Sequence, residues 1–89
     1  MAEYSLDFHP DWAEYLSRLD NSVQIQVMKK VLQLQAPIIG RHLRHGLDFF
    51  VEEVGGYRIT YKSDKNRKVR TLFFVGSHKD YDKWCNHKL

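Results

Sequence analysis

The stretch VGGYRITYK, residues 54–62, decides the fold of this chain. Its glycine pair separates two runs rich in β-branched and aromatic residues, FFVEEV at 49–54 and YRITYK at 57–62. A Gly-Gly pair between two such runs is a strong signal for a β-hairpin with a two-residue turn. The centre of the chain is therefore predicted to be an antiparallel pair of strands whose register the glycines set.

This register predicts which side chains share a face of the sheet. Val54 stands opposite Tyr57, and Glu53 stands opposite Arg58. Because side chains alternate along a strand, one face carries Phe50, Val54, Tyr57, Ile59 and Tyr61. The other face carries Glu53, Arg58, Thr60 and Lys62. We expect the first face to be the core. The second is either a solvated surface with a Glu53–Arg58 pair or a place where a phosphate-containing ligand lies.

Shorter patterns on both sides of the hairpin predict the other elements. Residues 4–8 alternate as a strand does, and two helices with apolar stripes are predicted within 10–36. A third strand is predicted over 69–76, followed by a short C-terminal helix or tail. This order predicts a single α+β domain over residues 1–89: a strand, a two-helix hairpin and an antiparallel β-meander, with the helices packed on one face of the sheet.

Length and composition exclude several classes of protein. The 89 residues suffice for one domain, and 43% hydrophobic with 28% charged residues are typical of a folded one. The longest apolar run, at 72–75, is too short to span a membrane, and the first residues do not resemble a signal peptide. The single cysteine, Cys85, favours the reducing cytoplasm. The net charge of +3 permits a polyanionic partner such as RNA without requiring one.

A metal site is a weaker interpretation of the same sequence. The pairs His42-x-x-His45 and Cys85-x-His87 supply four potential ligands. Their spacings suit a structural zinc site poorly. We therefore predict no metal and no other cofactor.

Three motifs together resemble the RelE/ParE superfamily of toxins. They are HLRHGL at 42–47, VGGYRITY at 54–61 and FVGSHKDY at 74–81. The first resembles the family's Leu-basic-Gly segment, the second its Gly-x-Tyr-Arg-Ile-x-Tyr strand, and the third the closing segment of its HigB-like branch. The N-terminal strand and helical hairpin also fit, so the resemblance covers nearly the whole chain and implies a RelE/ParE-like fold.

The resemblance implies a toxin of a type II toxin–antitoxin system that is held inactive by a cognate antitoxin. In the RelE branch the toxin cleaves mRNA on the ribosome, and in the ParE branch it poisons DNA gyrase. The shared fold does not decide between these activities. We expect a ribosome-dependent mRNA endonuclease. The alternatives are a ParE-like gyrase inhibitor without nuclease chemistry and a silent homologue that only binds an antitoxin.

Cleavage by attack of the RNA 2′-hydroxyl needs a base, an acid and cations on the phosphate. Arg58 matches the family's strand arginine, and we expect its guanidinium to stabilise the transition state. His78 is the candidate acid or base, because an imidazole titrates near ~6.5. Lys79 adds positive charge. Asp80 is a candidate general base or orients His78; otherwise it caps a helix. Tyr81 stacks on an RNA base or orients the 2′-hydroxyl; otherwise it is a core aromatic.

The strand before the hairpin departs from the RelE pattern. Where the family carries basic residues that face the arginine, this chain has Val51 and Glu53. Glu53 either weakens phosphate binding or serves as a general base, by analogy with the superfamily's YoeB branch. The candidate RNA-binding cations are Arg44, which matches the Leu-basic-Gly position, together with Lys62, Arg70 and Lys79.

Overall fold

The structure of the protein, a computed structural model, describes residues 3–36, 41–42 and 49–88. Its elements are β1 (Ser5–Phe8), α1 (Trp12–Ser17), α2 (Asn21–Gln33), β2 (Arg41–His42), β3 (Phe50–Val54), β4 (Tyr57–Asp64), β5 (Val69–Ser77) and α3 (His78–Lys88). This order confirms the predicted α+β class, to which the structure adds the two-residue strand β2. Within the residues described, none of the helices has the length and apolar character needed to cross a membrane.

The hairpin between β3 and β4 forms in the predicted register. Val54 lies opposite Tyr57, and Glu53 lies opposite Arg58. Gly55 adopts a φ of 57°, in the left-handed region that only glycine enters without a steric penalty. The glycine pair therefore fixes the turn as predicted.

The strands form one sheet in the order β1-β5-β4-β3-β2. β1 runs parallel to β5, and every other neighbouring pair is antiparallel. The N-terminal strand therefore lies beside the last strand, and β4 is the central strand. Because the chain passes from β5 directly into α3, the end of β5 and the first turn of α3 lie at the same edge of the sheet.

A first core lies between the sheet and helices α1 and α2. Ile59 and Tyr61 of β4 are buried there against Val27 and Val31 of α2, and Trp12 of α1 joins the same cluster. These β4 residues belong to the face predicted as the core. Burial of large apolar side chains on that face is the main force that holds α2 to the sheet.

Helix α3 covers the opposite face, which the sequence predicted to be polar. Val51 and Phe74 are buried there against α3. The α3 residues buried in this cluster are Tyr81, Trp84 and Cys85. Thr60, expected on a polar surface, has 0% of its surface exposed. The sheet is therefore buried on both faces, and the prediction of helices on one face only is wrong. The charged residues interspersed along α3 concealed its apolar side.

A β-bulge in β5 contributes to this second core. Thr60 lies opposite Phe74, and Tyr61 lies opposite Leu72, so Phe73 has no counterpart in β4. As a result Phe74 is buried in the second core, and the adjacent Phe73 packs against it. Regular alternation would have sent the two rings to opposite faces.

Arg70 of β5 joins the end of α2 to the sheet. Its guanidinium donates hydrogen bonds to the carbonyl oxygens of Leu34 at 2.9 Å and Ala36 at 2.8 Å. Its Nε donates to the Ser63 hydroxyl at 3.2 Å, and its Cζ lies 4.0 Å from the Tyr4 ring centroid. Only 2% of Arg70 is exposed. The expectation that Arg70 binds RNA is therefore wrong, because its charge is enclosed by protein acceptors.

Candidate functional site

The candidate site lies where β5 leads into α3. Arg58 of β4 lies opposite Gly76 of β5, and α3 begins two residues later at His78. The Ser77 hydroxyl accepts a hydrogen bond from the backbone N–H of Asp80 at 3.3 Å, which is the geometry of a helix N-cap. Strand pairing and this cap together bring the strand arginine and the first turn of α3 to the same edge.

Gly76 permits this close junction between strand and helix. A β-carbon at this position would lie 2.7 Å from Cζ of Phe74 and 3.2 Å from Cβ of Asp80. Any larger residue therefore has to displace the Phe74 ring or move the first turn of α3. The absence of a side chain at Gly76 is what allows α3 to start so close to the sheet.

The Arg58 guanidinium is oriented by two neighbours. Its Cζ lies 4.8 Å from the centroid of the Tyr81 ring, a cation–π contact. Its Nε lies 3.8 Å from Oε1 of Glu53, close enough for attraction but too far for a hydrogen bond. Nε is buried and has no hydrogen-bond partner among the described residues. Since 29% of the side chain is exposed, the guanidinium is held in place and is still partly accessible.

Tyr81 belongs to the framework of the site. Burial raises the pKa of its hydroxyl to about 12; a hydrogen bond and charge interaction with Cys85 act in the same direction, and the Arg58 charge opposes them. The phenol is therefore protonated at cellular pH and cannot serve as a base. Tyr81 is 8% exposed, so the expected stacking on an RNA base does not fit. The alternative of a core aromatic does.

His78, Lys79 and Asp80 form an exposed first turn of α3. His78 precedes Tyr81 by three residues, and such positions lie on one face of a helix. Because Arg58 contacts Tyr81, the histidine and the arginine share one end of the molecule. Asp80 follows His78 by two residues, a spacing at which helical side chains do not face each other. Its carboxylate instead lies at the positive end of the helix dipole.

The remaining candidate cations do not gather around Arg58. Lys62 lies on the same face of β4 but roughly 13 Å farther along the strand, at about 3.3 Å per residue. Arg70 is buried on the other face, and Arg44 lies outside the described residues. Val51, at a position where the RelE pattern carries a cation, is packed in the α3 core. The polar face predicted from alternation is thus not a continuous cationic surface around Arg58.

Sequence reasoning missed an aromatic cluster beside this site. The Trp84 ring stacks on Phe74 with centroids 5.3 Å apart and contacts Phe49 edge-on at 5.1 Å. Phe49 in turn contacts Phe73 edge-on at 5.1 Å. The Phe-Phe pair at 73–74 was the sequence signal for this cluster. It could not be interpreted without knowing the β-bulge that brings both rings to one face.

A cavity of about 470 Å³ opens between α1 and α3. Its walls include Tyr15, Phe74 and Trp84, and its rim carries Asp80 and Lys83. The cavity therefore adjoins the first turn of α3. Its lining residues come from the α1 region, β5 and α3, so no local sequence pattern predicted the cavity.

The alternative metal site falls partly outside the described residues, because His45 is not among them. In the ranges that the structure describes, no three histidine, cysteine, aspartate or glutamate side chains lie close enough together to hold a metal ion.

Known proteins resemble the chain in structure. No family model and no curated protein matches it. The chain is similar to one in the intact E. coli RelBE toxin–antitoxin complex, with 28% identity, a TM-score of 0.71, and coverage of 83% of this chain and 95% of that one. The isolated E. coli RelE toxin is similar at 26% identity, with a TM-score of 0.70 and coverage of 97% and 99%. A chain of the RelBE2 complex from Mycobacterium tuberculosis gives a TM-score of 0.75 at 18% identity over 88% and 94%, a likeness of fold alone.

Proposed function

We propose that this chain, a member of the RelE/ParE superfamily of toxins, is the toxin of a type II toxin–antitoxin system and is neutralised by a cognate antitoxin. The support is the likeness to a chain of the E. coli RelBE toxin–antitoxin complex and to the isolated E. coli RelE toxin. Both likenesses cover most of the chain, so they concern the whole domain and not a fragment of it.

The activity that we propose is endonucleolytic cleavage of mRNA on the ribosome. The observation that carries this proposal is the pairing of Arg58 with Gly76, which puts the guanidinium beside the turn that bears His78. Phosphodiester chemistry at neutral pH requires a cation on the phosphate and groups that move protons, and Arg58 and His78 would supply a cation and an imidazole.

The proposed reaction divides the work among three side chains. Glu53 removes the proton from the 2′-hydroxyl, whose oxygen attacks the adjacent phosphorus. His78 donates a proton to the 5′-oxygen as its bond to phosphorus breaks, which leaves a 2′,3′-cyclic phosphate and a free 5′-hydroxyl. Arg58 neutralises the charge that develops on the phosphoryl oxygens. About 29% of its side chain is exposed, which leaves Arg58 partly accessible to the phosphate.

The test compares wild type with Arg58→Ala and His78→Ala on programmed ribosomes. We expect each substitution to lower the rate of mRNA cleavage by about 10²–10³-fold, the usual cost of removing one group that stabilises developing charge. Arg67→Ala is the matched control, since Arg67 is an exposed arginine in the turn between β4 and β5. Intact mRNA in the wild-type reaction would overturn the nuclease proposal while leaving the superfamily membership untouched.

The two other candidates are a ParE-like gyrase inhibitor and a silent antitoxin-binding homologue. The observation that favours both is the acidic Glu53 beside Arg58, together with Val51 in the α3 core. Both reduce the positive charge available to a phosphate. Expression without an antitoxin separates the candidates: a nuclease stops translation with DNA intact, a gyrase inhibitor damages DNA, and a silent homologue is harmless.

A further inference from the structure

Four side chains from separate segments meet on the sheet farther along β4 than Arg58, and they include Phe49 and Phe73 of the aromatic cluster. His9 follows β1, Phe49 precedes β3, Lys62 belongs to β4, and Phe73 is the bulged residue of β5. The His9 ring lies 5.0 Å from Phe73 at an interplanar angle of 33°, and Phe49 meets Phe73 edge-on at 5.1 Å. We call these four residues the ring platform.

Lys62 brings a positive charge to the ring platform. Its Nζ lies 4.9 Å from the Phe49 centroid and 5.7 Å from the Phe73 centroid. Lys62 is exposed, and within the described part of the chain it forms no ion pair. The two rings hold the ammonium in place by cation–π attraction without neutralising its charge, so the charge remains available to an anion.

His9 is held in a fixed orientation within the ring platform. Its Nδ1 accepts a hydrogen bond from the backbone N–H of Asp11 at 3.1 Å. The ring is tilted by 33° against that of Phe73, and 34% of the His9 side chain is exposed. The Asp11 carboxylate lies 3.7 Å from the same nitrogen. This negative charge repels phosphates, so the surface of His9 suits an uncharged aromatic ring better than an anion.

From these contacts we propose that the ring platform binds single-stranded RNA: a nucleobase stacks on the His9–Phe73 pair, and Lys62 contacts the neighbouring phosphate. Aromatic or histidine rings next to a cation are the combination that recognises unpaired nucleotides, because every base has a π face and every linkage a negative charge. This inference rests on the proposed function, for which it supplies a contact with RNA away from the cleavage site.

The test measures binding of the whole, antitoxin-free chain to a short single-stranded RNA and to an abasic ribose-phosphate strand of equal length, by fluorescence anisotropy without ribosomes. We expect wild type to prefer the RNA, and His9→Ala to reduce that preference about tenfold. Lys62→Ala weakens binding to both strands and lowers the salt dependence, the slope of log K against log salt, by about 0.7, as loss of one phosphate contact requires.

Lys65→Ala is the matched control, since Lys65 is an exposed lysine in the turn after β4 and its loss changes the net charge equally. An equal loss of affinity in Lys65→Ala, or equal affinity of wild type for the RNA and the abasic strand, overturns the proposal. Phe73→Leu keeps apolar volume and removes the ring, and circular dichroism verifies its folding. It should reproduce the His9→Ala result, and unchanged base preference in this folded variant contradicts the stacking role.

The ring platform and the nuclease proposal can fail separately. Arg58→Ala in the same binding assay is expected to keep the preference for RNA over the abasic strand, because Arg58 lies outside the ring platform. Loss of that preference in Arg58→Ala contradicts the assignment of stacking to His9 and Phe73. If wild type binds through the ring platform but leaves ribosomal mRNA intact, the RNA-binding inference is supported and only the nuclease proposal is lost.

Discussion

Arg70 and Arg58 lie on neighbouring strands, yet their side chains have opposite environments. The Arg70 side chain has three oxygen acceptors, two of them backbone carbonyls, and is almost entirely buried. The Arg58 side chain is partly exposed, touches a ring and a carboxylate, and has a buried Nε without a hydrogen-bond partner among the described residues. One guanidinium is satisfied by the protein itself. The other still has hydrogen-bonding capacity for an external anion.

The difference shows that residue type and strand position do not reveal what an arginine does. Both side chains contact aromatic rings, Arg70 at Tyr4 and Arg58 at Tyr81. What separates the two is the supply of acceptors: the carbonyls of Leu34 and Ala36, just after α2, accept from Arg70, whereas Arg58 lies beside the start of α3 and its Nε has no hydrogen-bond partner among the described residues. A helix end carries free carbonyls and a helix start carries free N–H groups.

The largest expected effect tests whether Arg70 stabilises the fold through its buried hydrogen bonds. Arg70→Met should lower the free energy of unfolding by about 3 kcal/mol, because the carbonyl oxygens of Leu34 and Ala36 lose their donor in a buried setting. Urea unfolding followed by circular dichroism measures the change.

Arg58→Met is the matched control, since it removes the same group from a partly exposed site. Its free energy of unfolding should change by less than about 1 kcal/mol. Equal destabilisation by the two substitutions would break the distinction between the two arginines.

The ring under Arg58 gives a smaller, pH-dependent effect. An unperturbed tyrosine ionises near 10.0 and Tyr81 in the folded chain near about 12. Between these values the unfolded state binds fewer protons, so stability is fully present below pH 10 and is lost as pH rises toward 12. We expect the free energy of unfolding to fall by about 1 kcal/mol per pH unit in this window.

Tyr81→Phe removes this titration and should flatten the pH dependence, as measured by urea unfolding at a series of alkaline pH values. Tyr57→Phe, at a half-buried tyrosine of the same sheet, is the control and should keep the slope. A slope unchanged in Tyr81→Phe contradicts the assignment of the titration to Tyr81.

The smallest expected change in stability comes from Glu53→Gln, which tests the proposed catalytic role of the site around Arg58. Glu53→Gln should alter the free energy of unfolding by less than about 0.5 kcal/mol, since its partner Arg58 is 3.8 Å away and partly solvated. If Glu53 is the general base, mRNA cleavage on the ribosome falls by about 10²-fold or more.

Glu52→Gln is the control for this substitution. Glu52 is the preceding residue of β3, and its Oε1 lies 3.4 Å from Nζ of Lys30 on α2, away from the site. Cleavage should be unaffected. Full activity in Glu53→Gln would remove Glu53 from the proposed reaction.

Much of this molecule could be predicted from local patterns. The hairpin follows from the glycine pair, because few residues other than glycine accept the positive φ seen at Gly55. The face of the sheet that packs against α2 could be predicted from alternation, since Ile59 and Tyr61 stand two residues apart on one side of β4. The placement of Arg58 beside the start of α3 follows from the meander, which returns β5 along β4.

The sequence by itself determined the order of the elements, the hairpin register and the side of β4 on which Arg58 lies, because backbone torsion and alternation act between near neighbours. Only the tertiary structure decided that Phe73 bulges, that α3 buries the second face and that Arg70 is enclosed. These outcomes depend on contacts between segments distant in the chain. Which surface a side chain meets is set by packing of the whole domain and not by the residues beside it.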